Sequence, residues 1–448
     1  MKIKHMIRKI FLCGCLALFT VSASAQIERK KWSLQECIDY AIENNISIQQ
    51  QGITVESSEI DLNNAKNNRL PNLSASAGQS YGQGVSPVTG GYETKRTAST
   101  SMGISSSVTL YAGSRMTHQV AYNELNLKAA VENLEKAKES LGLQVAAYYL
   151  DVLFKKELLR VAREQMALTE KQLQRTEVLV QEGKVPESQR YDMEAQLAQN
   201  RVSLTSAQNS LDLSLLDLAQ SLNLSDTERF DIREPGTENL TVVHKATSAN
   251  EIFQIASGIK PQVREAEYRL ESGKQSVKIA KSALLPQLSL SAGYNSGYSY
   301  PFDGGADPFF DQIRDNRRLS VSLGLSIPIF SRFQNRNSIK SARLNVQSRE
   351  LELENVKRAL YKEIQQAYQS AVAAEAKFTS TEAAYTASQL SYEHAEKRYD
   401  VGKSTVFELS EAQNRLVTSQ SEQLQAKYEY LFQAKILDFY RGVPLGIN

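Results

Sequence analysis

Apolar residues recur at every third or fourth position through two very long segments of the chain, which is the pattern of a packed helix face. The first segment, 114–182, has no proline and one glycine, Gly142, and the second, 334–401, has neither residue. At about 1.5 Å per residue, each segment predicts a helix roughly 100 Å long. Helices of that length argue against a compact enzyme. The apolar positions are Leu127, Val131, Leu134, Leu141, Val145, Tyr148 and Val152 in the first segment, and Val356, Leu360, Ile364, Ala367, Ala371, Ala374 and Phe378 in the second.

A shorter amphipathic helix is predicted before each long one. In the first half it begins at Ser33, with Glu36 at the spacing of a capping box, and runs to about Arg69. Its counterpart in the second half covers about 249–285. Both segments stop shortly before a proline, which cannot continue a helix.

Each long helix is predicted to end at a glycine and to be followed by a returning helix. Gly183 and Gly402 come directly after the long segments. Glycine readily takes the left-handed conformation that closes a helix, so a new helix can start within a few residues. The returning helices are predicted at 186–222 and 405–440.

Between the shorter and the long helix of each half, the sequence alternates between apolar and small polar residues, which is strand periodicity. The alternation is clearest where Leu319, Val321 and Leu323 face one way and serine and glycine residues lie between them. The polar, glycine-rich connections 82–95 and 301–316 are predicted as loops. Strands are predicted at 71–82, 97–110, 287–300 and 317–328.

The same order of elements therefore occurs twice, which predicts an internal duplication. The first copy spans 26–222, the second spans 250–448, and the segment 223–249 connects them. The predicted fold class is mixed and predominantly α, with very long antiparallel helices and four β-strands in each chain.

The first 25 residues have the features of a cleavable secretory signal. Four basic residues precede the apolar stretch 10–21, and the small residues 23–25 suit a signal peptidase. A lipoprotein signal ending at Cys15 fits less well, because most of the apolar stretch lies after that cysteine. Without the leader, 48 basic side chains stand against 50 acidic ones. A nearly neutral chain argues against nucleic acid as the partner.

One cysteine, Cys37, remains beyond this leader, so the exported chain is expected to form no intramolecular disulfide. It lies with Leu34, Ile38 and Ala41 on the apolar stripe of the first helix. The pattern predicts a packed thiol rather than a reactive one.

The four predicted strands are long enough to cross a membrane when tilted, but they are too few to close a barrel. Open sheet edges in lipid leave backbone groups unpaired, at several kcal/mol each. Three chains would supply twelve strands, and the long helices would then form a hollow cylinder. A dimer with eight strands leaves little room inside. The alternative, a pore-less periplasmic coiled-coil structural protein, explains the helices but not the paired alternating segments.

The chain resembles the TolC-type outer membrane efflux protein family over about 32–442. Two helix-to-strand junctions carry the resemblance, Leu-Pro-Asn-Leu-Ser at 70–74 and Leu-Pro-Gln-Leu-Ser at 285–289. The strand exit Ile-Pro-Ile-Phe at 327–330 and the turn 398–405 add to it. Each motif is weak alone, and it is their order, duplication and spacing that resemble the family.

The resemblance implies a homotrimer with a shared twelve-stranded transmembrane β-barrel in the outer membrane and an α-helical barrel in the periplasm. It places the connector 223–249 in an equatorial belt. It also implies a passive conduit that a periplasmic adaptor and an inner-membrane transporter of the RND or ABC class open. Protein secretion through the same duct is the alternative, and drugs, metal ions and polypeptides all remain open as cargo.

The resemblance further implies a gate at the periplasmic end, formed by the second copy. Glu408 and Glu411 lie six and nine positions beyond Gly402, where similar channels carry acidic residues that narrow and charge the entrance. Spaced by three, they share one helix face, so a trimer would bring six carboxylates towards its axis and attract cations. Alternatively, Glu408 only caps its helix and Glu411 is solvated.

Tyr399 matches a tyrosine that holds the closed state in the family. Ser404 stands where a relative has an arginine that helps to hold the closed state. The contact made by that arginine has no matching side chain at this position. In the first copy, Gln189 and Asp192 are the alternatives for the gate partner. The predicted adaptor-docking tips are the two turns that follow the long helices, Gly183, Lys184 and Val185 in the first copy and Gly402, Lys403 and Ser404 in the second.

No catalytic, cofactor or metal site is predicted from the sequence. The segment 402–404 imitates the end of a phosphate-binding loop, but it follows a helix rather than a strand and the first glycine of that motif is missing. Beyond the leader, His118, His244 and His394 are scattered singly, without ligand spacing.

Overall fold

The computed structural model of the chain describes residues 31–224, 230–234, 248–302 and 304–445. The predicted leader and most of the connector 223–249 lie outside these residues. No helix in the described ranges is both long enough and apolar enough to cross a membrane. The elements, in chain order, are β1 (Lys31–Trp32), α1 (Leu34–Asn44), α2 (Ile46–Asn67), β2 (Asn72–Val88), β3 (Gly91–Ala112), α3 (Arg115–Gln181), α4 (Ser188–Ser221), β4 (Asp231–Ile232), α5 (Ala249–Ile259), α6 (Pro261–Ser282), β5 (Gln287–Pro301), α7 (Phe309–Asp315), β6 (Arg318–Ser326), α8 (Gln334–Asp400) and α9 (Val406–Tyr440).

The prediction of one continuous helix before each strand pair is wrong in both halves, because the chain breaks there into two helices. The break falls at Asn45 in the first half and at Lys260 in the second, and both residues have the same extended backbone, with φ near −70° and ψ of 128° and 129°. The Asn45 side chain accepts a hydrogen bond from Ser47 N and so starts α2. Lys260 precedes Pro261, which disfavours a helical conformation at the preceding residue.

The capping box predicted at Ser33 and Glu36 is confirmed, since each side chain bonds the other residue's backbone N–H. The second half has the equivalent box at Ser248 and Glu251, which the sequence analysis did not single out. The halves therefore share the same local chemistry at their helix starts.

The two long helices, α3 and α8, each contain 67 residues. Both begin after a pair of residues in the left-handed conformation, which turns the chain out of a strand. In the first half this pair is Gly113 and Ser114, with φ of 59° and 64°, and in the second it is Arg332 and Phe333, with φ of 51° and 63°. The returning helix α4 begins at Ser188, two residues later than predicted, because a tight turn at Pro186 comes first.

The four longer strands form one antiparallel sheet in the order β2-β3-β5-β6. The segment 82–95, predicted as a loop, instead forms the end of the β2–β3 hairpin nearest its turn. The two strands pair continuously from Asn72 opposite Ser107 to Val88 opposite Gly91. Strands can pair through their backbones without alternating apolar side chains. The polar sequence of 82–95 therefore gave no sign of this pairing. Gly90, with φ of 103°, takes a conformation in the turn that other residues rarely adopt.

The second connection also differs from the predicted loop, because it contains the short helix α7. This helix lies beside the part of β5 that extends beyond β6. The Gln312 amide donates to Ser299 O over 3.1 Å and accepts from Ser299 N over 3.0 Å, so it occupies the hydrogen-bonding groups that a neighbouring strand would use. Strand β6 ends at Ser326 rather than 328, because Pro328 has no N–H to donate.

The helices next to the sheet form a layer whose lateral order is α2-α3-α6-α8, since each neighbouring pair in that series packs together. Towards the other end α4 packs on α3, α3 on α9 and α9 on α8, and at the tips α3 also contacts α8 directly. In the sheet and in the helical layer next to it, an element of the first half lies at one edge and an element of the second half at the other.

A small parallel pairing of β1 with β4 lies at the middle of the long helices. The Tyr149 hydroxyl donates to the carbonyls of Trp32 and Arg233, and Lys156 Nζ lies 2.6 Å from Asp231 Oδ1. These contacts attach the described part of the connector to α3.

The core around α1 and the middle of α3 encloses Cys37, whose side chain is fully buried. The predicted packing of this thiol is confirmed, and burial raises its pKa to about 12. Two further apolar clusters lie where α5 packs on α8 and at the far end of the long helices.

Candidate functional site

The two turns at the far end of the long helices have the same backbone geometry. Gly183 and Gly402 are left-handed, with φ of 70° and 72°. In each turn the glycine N–H bonds the carbonyl three residues earlier, and the following lysine N–H bonds the carbonyl five residues earlier, at 2.8 to 3.0 Å. This is the Schellman arrangement that ends a helix. Both glycines, Lys184 and Lys403 are exposed.

An apolar cluster holds the four helices of the two turns together. Tyr392, Ala395 and Tyr399 from α8 pack with residues of α4 and α9, and the side chains are at most 8% exposed. The predicted gate tyrosine, Tyr399, is therefore a buried packing residue as well as a polar one. The other members are Met193, Val406 and Leu409, with Leu168, Leu173, Ala412 and Leu416 around them.

Polar contacts link α3 of the first half to α8 of the second within this cluster. The Tyr399 hydroxyl lies 3.2 Å from Thr176 Oγ1, and Gln172 Nε2 donates to the Tyr392 hydroxyl over 3.3 Å. Burial and the nearby Glu396 carboxylate raise the pKa of the Tyr392 hydroxyl, so it stays neutral.

A charged contact adds to them at the surface. Arg175 Nη1 on α3 lies 2.5 Å from Asp400 Oδ1 at the end of α8. Both side chains are partly exposed, so the pair contributes little to folding stability.

A buried polar group lies deeper between the helices. Thr169 Oγ1 accepts hydrogen bonds from Asn200 Nδ2 at 2.8 Å and from Gln413 Nε2 at 3.3 Å, and so joins α3, α4 and α9. The sequence analysis missed these residues. The sequence did contain a sign of this polar group. Its residues are polar side chains at positions that continue the apolar faces of the helices.

Glu408 and Glu411 are both exposed on the first turns of α9. Glu408 N donates to Thr405 Oγ1 over 3.3 Å, and the Glu408 carboxylate accepts from Ser404 Oγ over 2.6 Å. The capping contact is therefore present, and Ser404, which replaces a relative's arginine, faces Glu408. Glu411 forms an ion pair with Arg415 on its own helix.

The alternatives for the first-copy gate partner, Gln189 and Asp192, lie on α4, and no described contact joins either of them to Tyr399. The first-copy residues with polar contacts to the end of α8 are on α3. Among the described residues, no cluster of three or more histidine, cysteine, aspartate and glutamate side chains could hold a metal ion.

The paired turns, the duplicated helices and the shared sheet together define a channel-type outer membrane protein. A model of the family described as outer membrane efflux protein matches residues 37–224 and 253–442, which is most of the chain. The chain belongs to the outer membrane efflux protein family. Its location is the outer membrane of a Gram-negative bacterium, and members of the family are channels rather than enzymes.

Two curated relatives match over about two thirds of the chain. The pyoverdine export outer membrane protein OpmQ of Pseudomonas putida is 24% identical over 331 residues, which cover 68% of this chain and 62% of that protein. The alkaline protease secretion protein AprF of Pseudomonas aeruginosa is 20% identical over 320 residues, which cover 70% of this chain and 63% of that protein. The matched part is thus less than two thirds of either relative.

The fold is also found in solved structures. The crystal structure of CusC, described in terms of folding and transmembrane channel formation, superposes with a TM-score of 0.76 over 93% of each chain, at 18% sequence identity. This likeness shows that the chain has the fold of this structure over the matched part.

Proposed function

We propose that the protein is a homotrimeric export conduit, whose shared β-barrel crosses the outer membrane and whose helical barrel extends into the periplasm. A periplasmic adaptor and an inner-membrane transporter of the RND or ABC class open it and supply the energy. The observation that carries the proposal is the four-stranded sheet, which has two different faces and two open edges.

One face of the sheet is mainly apolar and exposed, and the other consists mainly of serine and glycine. Along β6, Leu319 and Leu323 are 75% and 65% exposed, with Ser320 and Ser322 on the opposite face. The register places Ile104 and Tyr294 on the apolar face and Gly103 and Ser105 on the other. An apolar outer face with a polar inner face is what a membrane barrel around water requires.

The strands at both edges of the sheet, β2 and β6, pair on one side only within the chain. Unpaired backbone groups in lipid cost several kcal/mol each, so both edges need partners. Pairing β6 of one chain with β2 of the next closes a ring, and three chains give twelve strands.

The helical layer supports the same assembly, because its edges are also apolar. On α2, Ile46, Ile53 and Ile60 are exposed and spaced by seven, on the side opposite the buried Ile48 and Ala65. On α8, Leu344 and Leu351 are also exposed and spaced by seven. They point away from Arg349, which bonds α6. When one edge of a protomer packs against the opposite edge of the next, the head-to-tail contacts can close into a ring.

At the far end, we assign Glu408, Glu411 and Tyr399 to the periplasmic gate. Threefold symmetry would bring the exposed carboxylates of three α9 helices near one axis, where they favour cations. Replacing both by glutamine, Glu408→Gln with Glu411→Gln, is expected to lower the cation preference several-fold. The reversal potential in a salt gradient across a planar bilayer measures it. The double variant Glu382→Gln with Glu393→Gln on α8 removes the same charge elsewhere and is the control. Equal reversal potentials for both double variants would contradict the assignment.

The contact between Arg175 and Asp400 is assigned to the closed state, together with the contact between Tyr399 and Thr176. Arg175→Asp places two carboxylates side by side and is expected to raise the conductance of the purified channel several-fold. Adding Asp400→Arg restores an ion pair of reversed polarity and should return the conductance towards the wild-type value.

The control for this pair is Arg201→Asp, which removes an exposed ion pair with Glu170 inside the first half. It should leave the conductance unchanged. Failure of the reversed pair to restore closure would contradict the role of this contact.

The exposed turns are assigned to adaptor docking. The first turn consists of Gly183, Lys184 and Val185, and the second consists of Gly402, Lys403 and Ser404. Phe407, beside the second turn, is 76% exposed. Phenylalanine is among the aromatic residues that are enriched at protein interfaces.

Protein secretion through the same duct is the second candidate, since AprF is named for alkaline protease secretion. Purified protein in planar bilayers tests the conduit itself. Ion conductance from trimers is expected, whereas recovery as a soluble protein without conductance would favour the pore-less structural protein.

A further inference from the structure

The two halves of the chain can be compared residue by residue, because their helices have equal lengths. The helices α1 and α5 each contain 11 residues, α2 and α6 each contain 22, and α3 and α8 each contain 67. Asn45 corresponds to Lys260, since each lies at the break between the two shorter helices of its half. Glu139 on α3 corresponds to Arg358 on α8, since each has the same position counted from the start of its helix.

The helical layer α2-α3-α6-α8 contains a contact between the halves at its centre. There the long helix α3 of the first half packs on the shorter helix α6 of the second. If the layer closes into the proposed ring, α8 packs on α2 of the next chain, which is again a long helix against a shorter one. The contact within the chain is therefore a template for the contact between chains.

The burial of corresponding residues supports this relation. Glu265 on α6 accepts a hydrogen bond from α3 and is 8% exposed, whereas the corresponding Gln50 on α2 is exposed. Glu132 on α3 faces α6, and its side chain is 16% exposed. The corresponding Leu351 on α8 is 67% exposed. The surfaces that cover each other inside the chain are thus uncovered at its two outer edges.

A buried ion pair lies at one end of the template. Lys260 is 4% exposed, and its Nζ lies 3.2 Å from Glu139 Oε2 and 3.2 Å from the centre of the Phe439 ring. Phe439 belongs to the last turn of the returning helix α9. This contact therefore joins a long helix of one half to the helix break and the returning helix of the other.

The corresponding groups at the outer edges are a cation and a helix end. The Arg358 side chain is 78% exposed and pairs with Glu354 on its own helix. At the other edge, Asn45 donates to the carbonyl of Ser221, at the end of the returning helix α4. Along α4, which is described in full, the last turn contains no basic residue. The carbonyl end of a helix favours a cation, which Arg358 of a neighbouring chain would supply.

We propose that Arg358 of each chain docks against Asn45 and the end of α4 of the next chain, at the position that the ion pair of Glu139 and Lys260 occupies within the chain. The inference rests on the proposed function, because it requires the trimer. The contact also selects between the two long helices. At this edge α3 would place the Glu139 carboxylate at the carbonyl end of α4, which is unfavourable, whereas α8 places an arginine there.

The test rebuilds the ion pair of the chain at the contact between chains. The full-length protein is purified in detergent, and sedimentation at a series of concentrations gives the dissociation constant of the trimer. A misplaced charge at a helix end changes an equilibrium about two- to fivefold, so with three contacts Arg358→Glu should raise this constant about tenfold to a hundredfold. Asn45→Lys alone brings two cations together and should also raise it. The double variant recreates a glutamate–lysine pair and should return the constant towards the wild-type value.

The matched control combines Arg358→Glu with Thr54→Lys. It places the lysine about 13 Å further along α2, beyond the screening length of about 8 Å at physiological salt, and should not restore the trimer. Asn45→Lys also removes the hydrogen bond to Ser47 N, but it does so in the single and the double variant alike, so this effect cancels in the comparison. Simple addition of the effects of Arg358→Glu and Asn45→Lys would overturn the inference.

Cross-linking tests the same contact without relying on stability. Leu351→Cys with Gln49→Cys replaces the residues that correspond to Glu132 and Arg264, whose charged groups lie 4.0 Å apart within the chain. A short bismaleimide should join neighbouring chains of this variant, as seen by denaturing gel electrophoresis, and should join none in either single variant. The buried Cys37 should not react. Trimers of the double variant that yield no linked chains would also overturn the inference.

Conductance of the same preparations separates the two proposals. Conducting trimers without coupling between positions 358 and 45 would remove this contact alone. Protein that forms neither trimers nor conducting channels would remove the proposed function, and the contact with it.

Discussion

Leu323→Arg is expected to prevent stable insertion of the protein into the outer membrane. Leu323 lies near the middle of β6 on the apolar face. An arginine facing lipid near the middle of the bilayer costs roughly 2–4 kcal/mol, and a trimer would carry three of them. The fraction of protein recovered in the outer membrane should fall strongly. In liposomes, the midpoint of urea unfolding should fall as well.

The neighbouring residue provides the control for this change. Ser322→Arg introduces the same side chain one position earlier, on the serine and glycine face. It should leave insertion intact and change only ion selectivity. Equal loss of insertion in both variants would mean that the two faces do not have different surroundings.

Ile53→Arg is expected to release monomers from the proposed trimer. Ile53 is 65% exposed in the single chain and lies at the centre of the isoleucine series on α2. If this edge packs against α8 of the next chain, the substitution buries an unpaired charge at every interface. An uncompensated buried charge costs roughly 3–5 kcal/mol. Sedimentation of the protein in detergent should show a large shift from trimer to monomer.

Thr54→Arg is the control for the helical edge. Thr54 is exposed on the same helix, about 100° around the axis, and so points out of the layer rather than along it. It should remain trimeric. A trimer that tolerates Ile53→Arg as well as Thr54→Arg would show that α2 is not an interface.

The sequence showed the long helices and the order of elements because these follow from periodicity. The segment between Gln334 and Asp400 contains neither proline nor glycine, so nothing in it interrupts the helix. The register of the sheet also agrees with the alternation seen in β6. Periodic apolar patterns are local properties, and they persist without knowledge of the tertiary contacts.

The sequence-based predictions were wrong where backbone pairing or local side-chain hydrogen bonds determine the structure. The upper part of the β2–β3 hairpin has few apolar residues, so its pairing from Gly82 onwards leaves no pattern in the sequence. The break at Asn45 depends on one side-chain hydrogen bond, and the helix α7 depends on Gln312 bonding Ser299. Such contacts are not encoded in periodicity.

The contacts at the candidate gate could not be predicted for a different reason. Arg175 and Asp400 are 225 residues apart in the chain and meet only because the two halves pack side by side. As charged residues on long helices, both were expected to be exposed to solvent. Tyr399 was singled out through the family resemblance, but its contact with Thr176 required the structure.

The burial of Cys37 makes the protein convenient for site-directed labelling. The thiol is fully buried, and its raised pKa keeps it protonated and unreactive at neutral pH. If the leader is removed, no other cysteine remains in the chain. A cysteine introduced at an exposed turn, such as Lys184, would then be the one site that reacts with a maleimide dye or a cross-linker. Distances across the entrance could be followed by spectroscopy without first removing a native thiol.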